Sequence, residues 1–399
     1  MRSIPTALAP RSKGGPSRVH LLAIALTTIH LRPARCAWSL AAAALAATVV
    51  AGQSPAADPV AAKSPEPATL TLEQVIQRQL SSFKARTGVY VKDLTTGEEA
   101  GVRADQAFNS FSVIKLAIMV RAFQLADAGT LNLDERVEVR RQDLRDGSGL
   151  LYAFDPGLRV TVRDLITQMT ITSDNTATDM MLTRVGGLQA LNAWLQQAGF
   201  TSTRMVQSTL DFFRQALVLR DPAYKTLSAE DVFAYYTHPT VINPRLMEAQ
   251  SARGEELQKA APIATFWPKV AGSDDPSYWL GSMTARETGR MLEAIERGAL
   301  ASPDSTGQMK RILMEQREGR LRLPHYLEWP DYFVAHKTGD GPPAIANDVG
   351  IVYDPNKRSV VISFFSAAIA EPYANHEDRI GRLARAVVDY LAAKAPPAK

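Results

Sequence analysis

Three short clusters in the chain carry residue types suited to nucleophilic chemistry. They are Ser112 three positions before Lys115, the run Ser173-Asp174-Asn175, and the run Lys337-Thr338-Gly339. A serine hydroxyl attacks an acyl carbonyl when a neighbouring base accepts its proton. From Val113 to Leu125 nearly every position is apolar except Lys115, Arg121 and Gln124, so this stretch reads as a helix buried on almost all sides. Ser112 stands at its mouth and Lys115 one turn inside. Burial disfavours an ammonium and lowers its pKa, which makes Lys115 a base toward the nearby hydroxyl. The Ser-x-x-Lys spacing alone arises roughly once by chance in a chain of this length. Taken singly, Ser173 and Asn175 are also ordinary helix-cap types, and Lys337-Thr338-Gly339 could be a solvated strand end. The occurrence of all three clusters in this order carries the signal.

The elements around them must bring the clusters together. Thr71-Leu72-Glu73-Gln74 has the form of a capping box and predicts a helix to about Ala85, with Leu72, Val75, Ile76, Leu80 and Phe83 on one face. Gly88 to Asp93, the turn Thr95-Thr96-Gly97, and Glu98 to Arg103 read as a β-hairpin leading to the Ser112 helix. A polar loop containing Asp146-Gly147-Ser148-Gly149 follows. Thr161 caps a helix over Val162 to Met169; further helices run from the Asn175 region to about Arg184 and from Leu188 to Gln197. Residues 210 to 282 have weak periodicity and many prolines, and predict short helices and irregular segments. Thr284 to Ile295 reads as a helix, and Tyr332 to Lys337, Asn347 to Tyr353 and Val360 to Ala367 as strands. A last helix covers Asp378 to Ala393. This order predicts an α+β fold in which one antiparallel sheet is fed from both ends of the chain and a helical part is inserted between.

The chain has 399 residues and a net charge of +4. The excess lies in Arg2, Arg11, Lys13, Arg18, Arg32 and Arg35, with no acid among the first 35 residues. Basicity therefore points to a targeting leader and away from a nucleic-acid partner. The apolar run from Cys36 to Ala51, followed by small residues, predicts a secretory signal within residues 1–57, cleaved after Ala51 or Ala56. It is short for a membrane span. Residues 58–68, rich in Ala and Pro, read as a flexible linker. Cys36 is the sole cysteine, so the mature chain is expected to have no disulfide and no cysteine metal site. No metal or organic cofactor is indicated.

The set Ser112-x-x-Lys115, Ser173-Asp174-Asn175 and Lys337-Thr338-Gly339 resembles the penicillin-recognising serine hydrolases, and its Ser-Asp-Asn form points to class A β-lactamases. Thr176-Ala177, Gly186-Gly187, Thr203-Arg204 and Asn347-Asp348-Val349-Gly350 extend the resemblance. It implies a β-lactamase/transpeptidase-like fold: a five-stranded antiparallel sheet flanked by helices, plus a mostly helical subdomain. The catalytic domain would span 69–394, with an α/β part at 69–111 and 283–394, a helical part at 112–209 and an insertion at 210–282.

Carried over, the resemblance makes Ser112 the acylated nucleophile and Lys115 its base. Ser173, held by Lys337, would pass a proton to the leaving nitrogen. Asn175 would bind the substrate side-chain amide, and Lys337, Thr338, Gly339 and Asp340 would line the carboxylate end. Backbone N–H groups of Ser112 and Asp340 would stabilise the oxyanion.

Two departures matter. Class A enzymes carry a Glu that activates the deacylating water, and its position here falls on Thr209; no Glu occurs between Arg204 and Glu230, and Asp211 is the nearest acid. Asp179 stands where the family usually has an Asn that braces that loop. Asp340, beside the carboxylate end, would disfavour an anionic substrate. His336 reads as a strand residue, His238, His325 and His376 lack metal-ligand spacing, and Trp267, Trp279 and Trp329 read as packing residues of a core or of the insertion, with the lining of a substrate groove as the alternative.

The expected activity is that of a monomeric, periplasmic or secreted serine hydrolase acting on a β-lactam amide through Ser112. The alternatives are a cell-wall D-alanyl-D-alanine peptidase, amidase or esterase acting on peptidoglycan peptides, and a non-turnover β-lactam or cell-wall sensor.

Overall fold

In the computed structural model the described residues are 70–219, 221–237 and 267–394, with Glu256 and Lys259. The expected leader, the linker and His238 lie outside them.

A five-stranded antiparallel sheet has the order β2-β1-β10-β9-β8, built from β1 (Arg86–Asp93), β2 (Glu99–Val102), β8 (Phe333–Gly341), β9 (Ile345–Tyr353) and β10 (Ser359–Ala367). The strands come from both ends of the chain, as their order along the sequence predicts. In β10 alternate residues serve different cores. Val360, Ile362 and Phe364 face one apolar cluster, while Val361 and Phe365 face the other. Both faces of the sheet are therefore covered, which is why this strand reads as a continuous apolar run.

On one face lie α1 (Leu72–Leu80) and a long closing helix, Tyr373–Lys394, which present Leu72, Ile76, Ile380, Leu383 and Val387. Each such buried side chain contributes about 1.5–3 kcal/mol. The Thr71 capping box forms as expected. The helix ends at Leu80 rather than Ala85, because the chain turns at Ser81 and Ser82 to enter β1. The closing helix starts at Tyr373, five residues before the expected Asp378.

The other core surrounds α2 (Lys115–Asp127), whose Leu116, Ala117, Ile118, Met119, Val120, Ala122 and Phe123 are buried. Around it stand α3 (Val162–Ile171), α4 (Asn175–Arg184) and α5 (Gly187–Gln197). Thr161 caps α3 with a full capping box.

Within the stretch 210–282 the structure has α6 (Thr209–Val218), α7 (Ala229–Thr237) and α8 (Trp267–Ala271). Its end is sheet rather than loop: β7 (Gly281–Thr284) pairs with β3 (Ala107–Asn109) and with β6 (Arg204–Met205). The helix expected at Thr284 forms as α9 (Ala285–Glu296), with the Thr284 hydroxyl accepting from the Glu287 amide. The helix α10 (Pro303–Met314), capped by Ser302, and the short pair β4 (Arg136–Val139) and β5 (Leu158–Thr161) were not anticipated. The closing helix is α11. Among the described residues no helix is long and apolar enough to cross a membrane.

Candidate active site

Ser112 lies in a single 3₁₀ turn, Phe111–Ile114, between β3 and α2. That turn is held from three sides. The Ser110 amide donates to the Gly281 carbonyl of β7 at 2.8 Å. Buried Asn347 of β9 donates through Nδ2 to the carbonyls of Asn109 (3.0 Å) and Ser110 (3.2 Å), while its Oδ1 accepts from the Ser366 amide. On the third side β8, an edge strand of the sheet, passes so close that a Cβ on Gly339 would collide with the Ser110 carbonyl oxygen. Only glycine allows that approach, which is the physical reason for the Gly in Lys337-Thr338-Gly339. Phe111, just before Ser112, has a left-handed φ of 44°. Such a conformation costs a non-glycine residue about 1–2 kcal/mol, and the surrounding bonds hold it in place.

Behind the turn two lysines are fully buried. Lys115 Nζ donates to the Ser173 carbonyl (2.5 Å), to Ser173 Oγ (3.2 Å) and to Asn175 Oδ1 (2.8 Å). Lys337 Nζ donates to the same Ser173 Oγ (3.1 Å) and to the Thr338 carbonyl (3.0 Å). The Ser173 hydroxyl thus accepts from both lysines, and two lone pairs are engaged. Its own proton remains free to be donated. Burial lowers the Lys115 pKa to about 7, and the charge of Lys337 adds to the fall, against the opposing carboxylates of Glu318, Asp174 and Asp179. Burial likewise lowers Lys337.

Ser173 has a left-handed φ of 54° and precedes α4, whose N-cap is the buried Asp174. The Asp174 carboxylate accepts from the amides of Leu150 (2.7 Å), Leu151 (2.8 Å) and Ala177 (2.8 Å). The loop carrying Asp146 to Gly149 is thereby tied to α4. Ser148 Oγ donates to the Ser173 carbonyl at 2.7 Å, and Asn175 Nδ2 to the Asp146 carbonyl at 2.8 Å.

The floor opposite Ser112 is set by Asp179. Its carboxylate accepts from the backbone amides of Thr209 (2.8 Å) and Leu210 (3.0 Å) and from Arg145 Nε (2.8 Å). Thr209 is buried, and its hydroxyl has no hydrogen-bond partner among the described residues. Asp211 is turned outward, where it accepts from Ser208 Oγ and from Arg214.

A cavity of about 370 Å³ joins these parts, and its lining includes Ser112, Ser173, Asn175, Thr209 and Asp340. Phe111, Phe212, Phe213, Tyr236 and Trp267 form an aromatic wall. The charged residues among the described lining are all acids: Asp146, Glu318 and Asp340. Burial raises the Asp146 carboxyl to about 6, with only the Gly147 amide opposing.

The structure brings Ser112, Lys115, Ser173, Asn175, Lys337, Thr338, Gly339 and Asp340 to one place. One expected contact differs: Lys115 is bonded to Ser173 and Asn175, and among the described residues the Ser112 hydroxyl has no partner. The reading of Asp340 as an uncompensated negative charge needs correction. Asp340 is ion-paired with buried Arg322 and accepts from Tyr373 Oη at 3.0 Å. Although burial pushes its carboxyl up, Arg322 holds it below the usual carboxylate range. Trp279 is buried, Trp267 lines the cavity, and Trp329 is 75% exposed, so it is not a packing residue. His336 sits in β8 with Nδ1 2.9 Å from Asp348 Oδ1. Sequence reasoning missed Glu318 and Arg322. They lie between α10 and β8, outside every motif, and no spacing marks them.

The family described as "Beta-lactamase enzyme family" matches residues 71–391. Among curated relatives, β-lactamase VEB-1 of Pseudomonas aeruginosa is 22% identical over 328 residues, covering 80% of this chain and 90% of the relative. β-Lactamase L2 of Stenotrophomonas maltophilia is 33% identical over 149 residues, covering 37% and 49%. Among solved structures, an ancestral class A β-lactamase aligns with a TM-score of 0.60 at 23% identity, over 80% of this chain and 99% of that one. The L158E mutant of PBP-A, solved as an acyl-enzyme complex with penicillin G, aligns with a TM-score of 0.58 at 22% identity, over 81% and 96%. These likenesses establish the β-lactamase/transpeptidase-like fold.

Proposed function

This chain belongs to the beta-lactamase enzyme family, and from that premise we propose that it is a serine hydrolase that opens the amide of a β-lactam through an acyl-enzyme on Ser112. The observation that carries this reading is Ser173 Oγ, which lies within hydrogen-bond distance of both buried lysines beside the Ser112 turn. Lys115, in its neutral form, takes the Ser112 proton, through Ser173 or after its side chain moves. Ser112 Oγ then bonds to the carbonyl carbon, and negative charge develops on the carbonyl oxygen against the backbone N–H groups of Ser112 and Asp340. Ser173 gives its proton to the leaving nitrogen as the C–N bond breaks, and the protonated Lys115 returns a proton to Ser173 Oγ, 3.2 Å away. Lys337 holds Ser173 for that transfer.

Deacylation is a different matter. The second step needs a base for the attacking water. Thr209 supplies a hydroxyl that can hold a water but cannot take its proton, and Asp211 is engaged outside the cavity. This favours a slow second step. It also favours a second reading, in which the same acylation parts serve a cell-wall peptidase, amidase or esterase and β-lactams only trap the enzyme. The L158E mutant of PBP-A, captured as a penicillin G acyl-enzyme, supports an acylating role in this fold. Export by the leader is part of either reading.

Intact-mass spectrometry over time with penicillin G tests the proposal. The expected result is a single adduct on the wild-type chain, long-lived, and none on Ser112→Ala. Equal labelling of the two proteins, or no labelling of the wild type at high penicillin concentration, overturns it.

A further inference from the structure

The end of the cavity where the family resemblance places a substrate carboxylate is already furnished with carboxylates. Thr338, whose hydroxyl should donate to the substrate, donates instead to Glu318 Oε2 at 3.1 Å. Arg322, the guanidinium that reaches Asp340 at that end, is only 2% exposed. It is ion-paired with Asp340 and, at 3.0 Å, with Glu377, and donates to the Asn347 carbonyl at 2.9 Å. Lys115 and Lys337 are 0% exposed. No lysine, arginine or histidine is among the described residues that line the cavity. An anion entering here finds its hydroxyl partner taken, its guanidinium neutralised and a half-buried carboxylate facing it.

We propose that Glu318 is a specificity-determining residue that turns this end of the site against anionic groups, so that the acyl donor carries a neutral or ammonium-bearing group where β-lactams carry their carboxylate. This rests on the acyl-enzyme reading above and names the substrate class of that same site. Glu318 fills two needs of the pocket. It satisfies Thr338, and it opposes the charge of the buried lysines, whose pKa values it raises. A carboxylate accepts several hydrogen bonds, so a substrate ammonium pairs with Glu318 alongside the Thr338 hydroxyl, whereas a substrate carboxylate forces two anions together in a partly desolvated site.

The test compares acylation of Ser112 by three forms of one penicillin: the free acid, its methyl ester and its aminoethyl amide. Rates are followed by intact mass. In the wild type the ester and the ammonium form are expected to acylate at least about tenfold faster than the acid, in the range that one mismatched polar contact produces. In Glu318→Gln, and in Glu318→Ala as a second variant, the ratio of acid to ester is expected to rise about tenfold. Added salt should raise the same ratio in the wild type only. The inference is overturned if the acid is fastest in the wild type, or if both variants leave the ratio unchanged. If none of the three forms labels Ser112, the acyl-enzyme reading itself fails and takes the inference with it.

Discussion

Asp179 Oδ1 accepts the backbone amide of Thr209 at 2.8 Å. The segment facing Ser112 is therefore fixed by a carboxylate at its back, while the residue it presents to the cavity has no acid. In an enzyme that carried a Glu at position 209, the brace and the base would be two anions in close quarters.

Installing the missing base should therefore speed deacylation, but not for free. Thr209→Glu is expected to shorten the life of the penicillin adduct about 10²-fold, the usual scale of general-base catalysis. It should also lose about 1–3 kcal/mol of stability, since Thr209 is 1% exposed and the larger side chain overpacks the floor. Adding Asp179→Asn should relieve the like-charge penalty and give a combined effect larger than the sum of the two changes. An adduct lifetime unchanged in both variants would remove Thr209 from the account.

Acylation should depend on pH through Lys115. Its neutral amine is the base, so the acylation rate is expected to rise as pH passes upward through about 7 and then level off. Lys337 pushes that pKa down; Glu318, Asp174 and Asp179 push it up. Glu318→Gln removes one of the latter and should move the rise to lower pH. Lys115→Ala should lose roughly 10³-fold in acylation and show no such rise. Stopped-flow or mass-based acylation rates across pH read both effects.

The contact between β8 and the Ser112 turn predicts a large effect from one methyl group. Gly339→Ala places a Cβ against the Ser110 carbonyl oxygen, which is backbone and cannot swing aside. Displacement of β8 from Ser112 should reduce acylation about 10²-fold, because positioning errors of about an ångström cost that much. A variant that folds and acylates at the wild-type rate would show that the turn is less tightly held than this geometry implies.

Asn347 should matter for stability as well as activity. Its side chain serves the Asn109 and Ser110 carbonyls and the Ser366 amide, all buried. Asn347→Ala takes one hydrogen bond from each of them, the Ser110 carbonyl keeping the Val113 amide at 3.1 Å, at about 1–3 kcal/mol for each donor or acceptor left without a partner, less whatever water recovers. A denaturant midpoint shift equivalent to about 2–4 kcal/mol is expected.

Much of the scaffold could be read from the sequence because its signals are local. Thr71, Thr161 and Thr284 cap their helices through bonds to residues three positions on, and the apolar run after Lys115 declares a helix surrounded by core. The paired strands at the C-terminus carry the β-branched and aromatic runs expected of a sheet covered on both faces. The motif residues could be named because their types and spacing are tied to one chemistry.

What the tertiary structure alone decided are relations between distant segments. That Lys115 and Lys337 share one hydroxyl, Ser173 Oγ, joins residues far apart in the chain. That Asp340 is ion-paired while Glu318, among the described residues, is not follows from which carboxylate Arg322 reaches, and from Thr338 turning its hydroxyl to Glu318. The strands β4 and β5 are four-residue runs whose pairing joins segments about twenty residues apart, and helix α10, although Ser302 and Pro303 mark its start, lies outside the elements read from the sequence. Sequence spacing determines which side chains share a face of one element; charge balance in a pocket depends on distances between elements, and only the folded chain sets those.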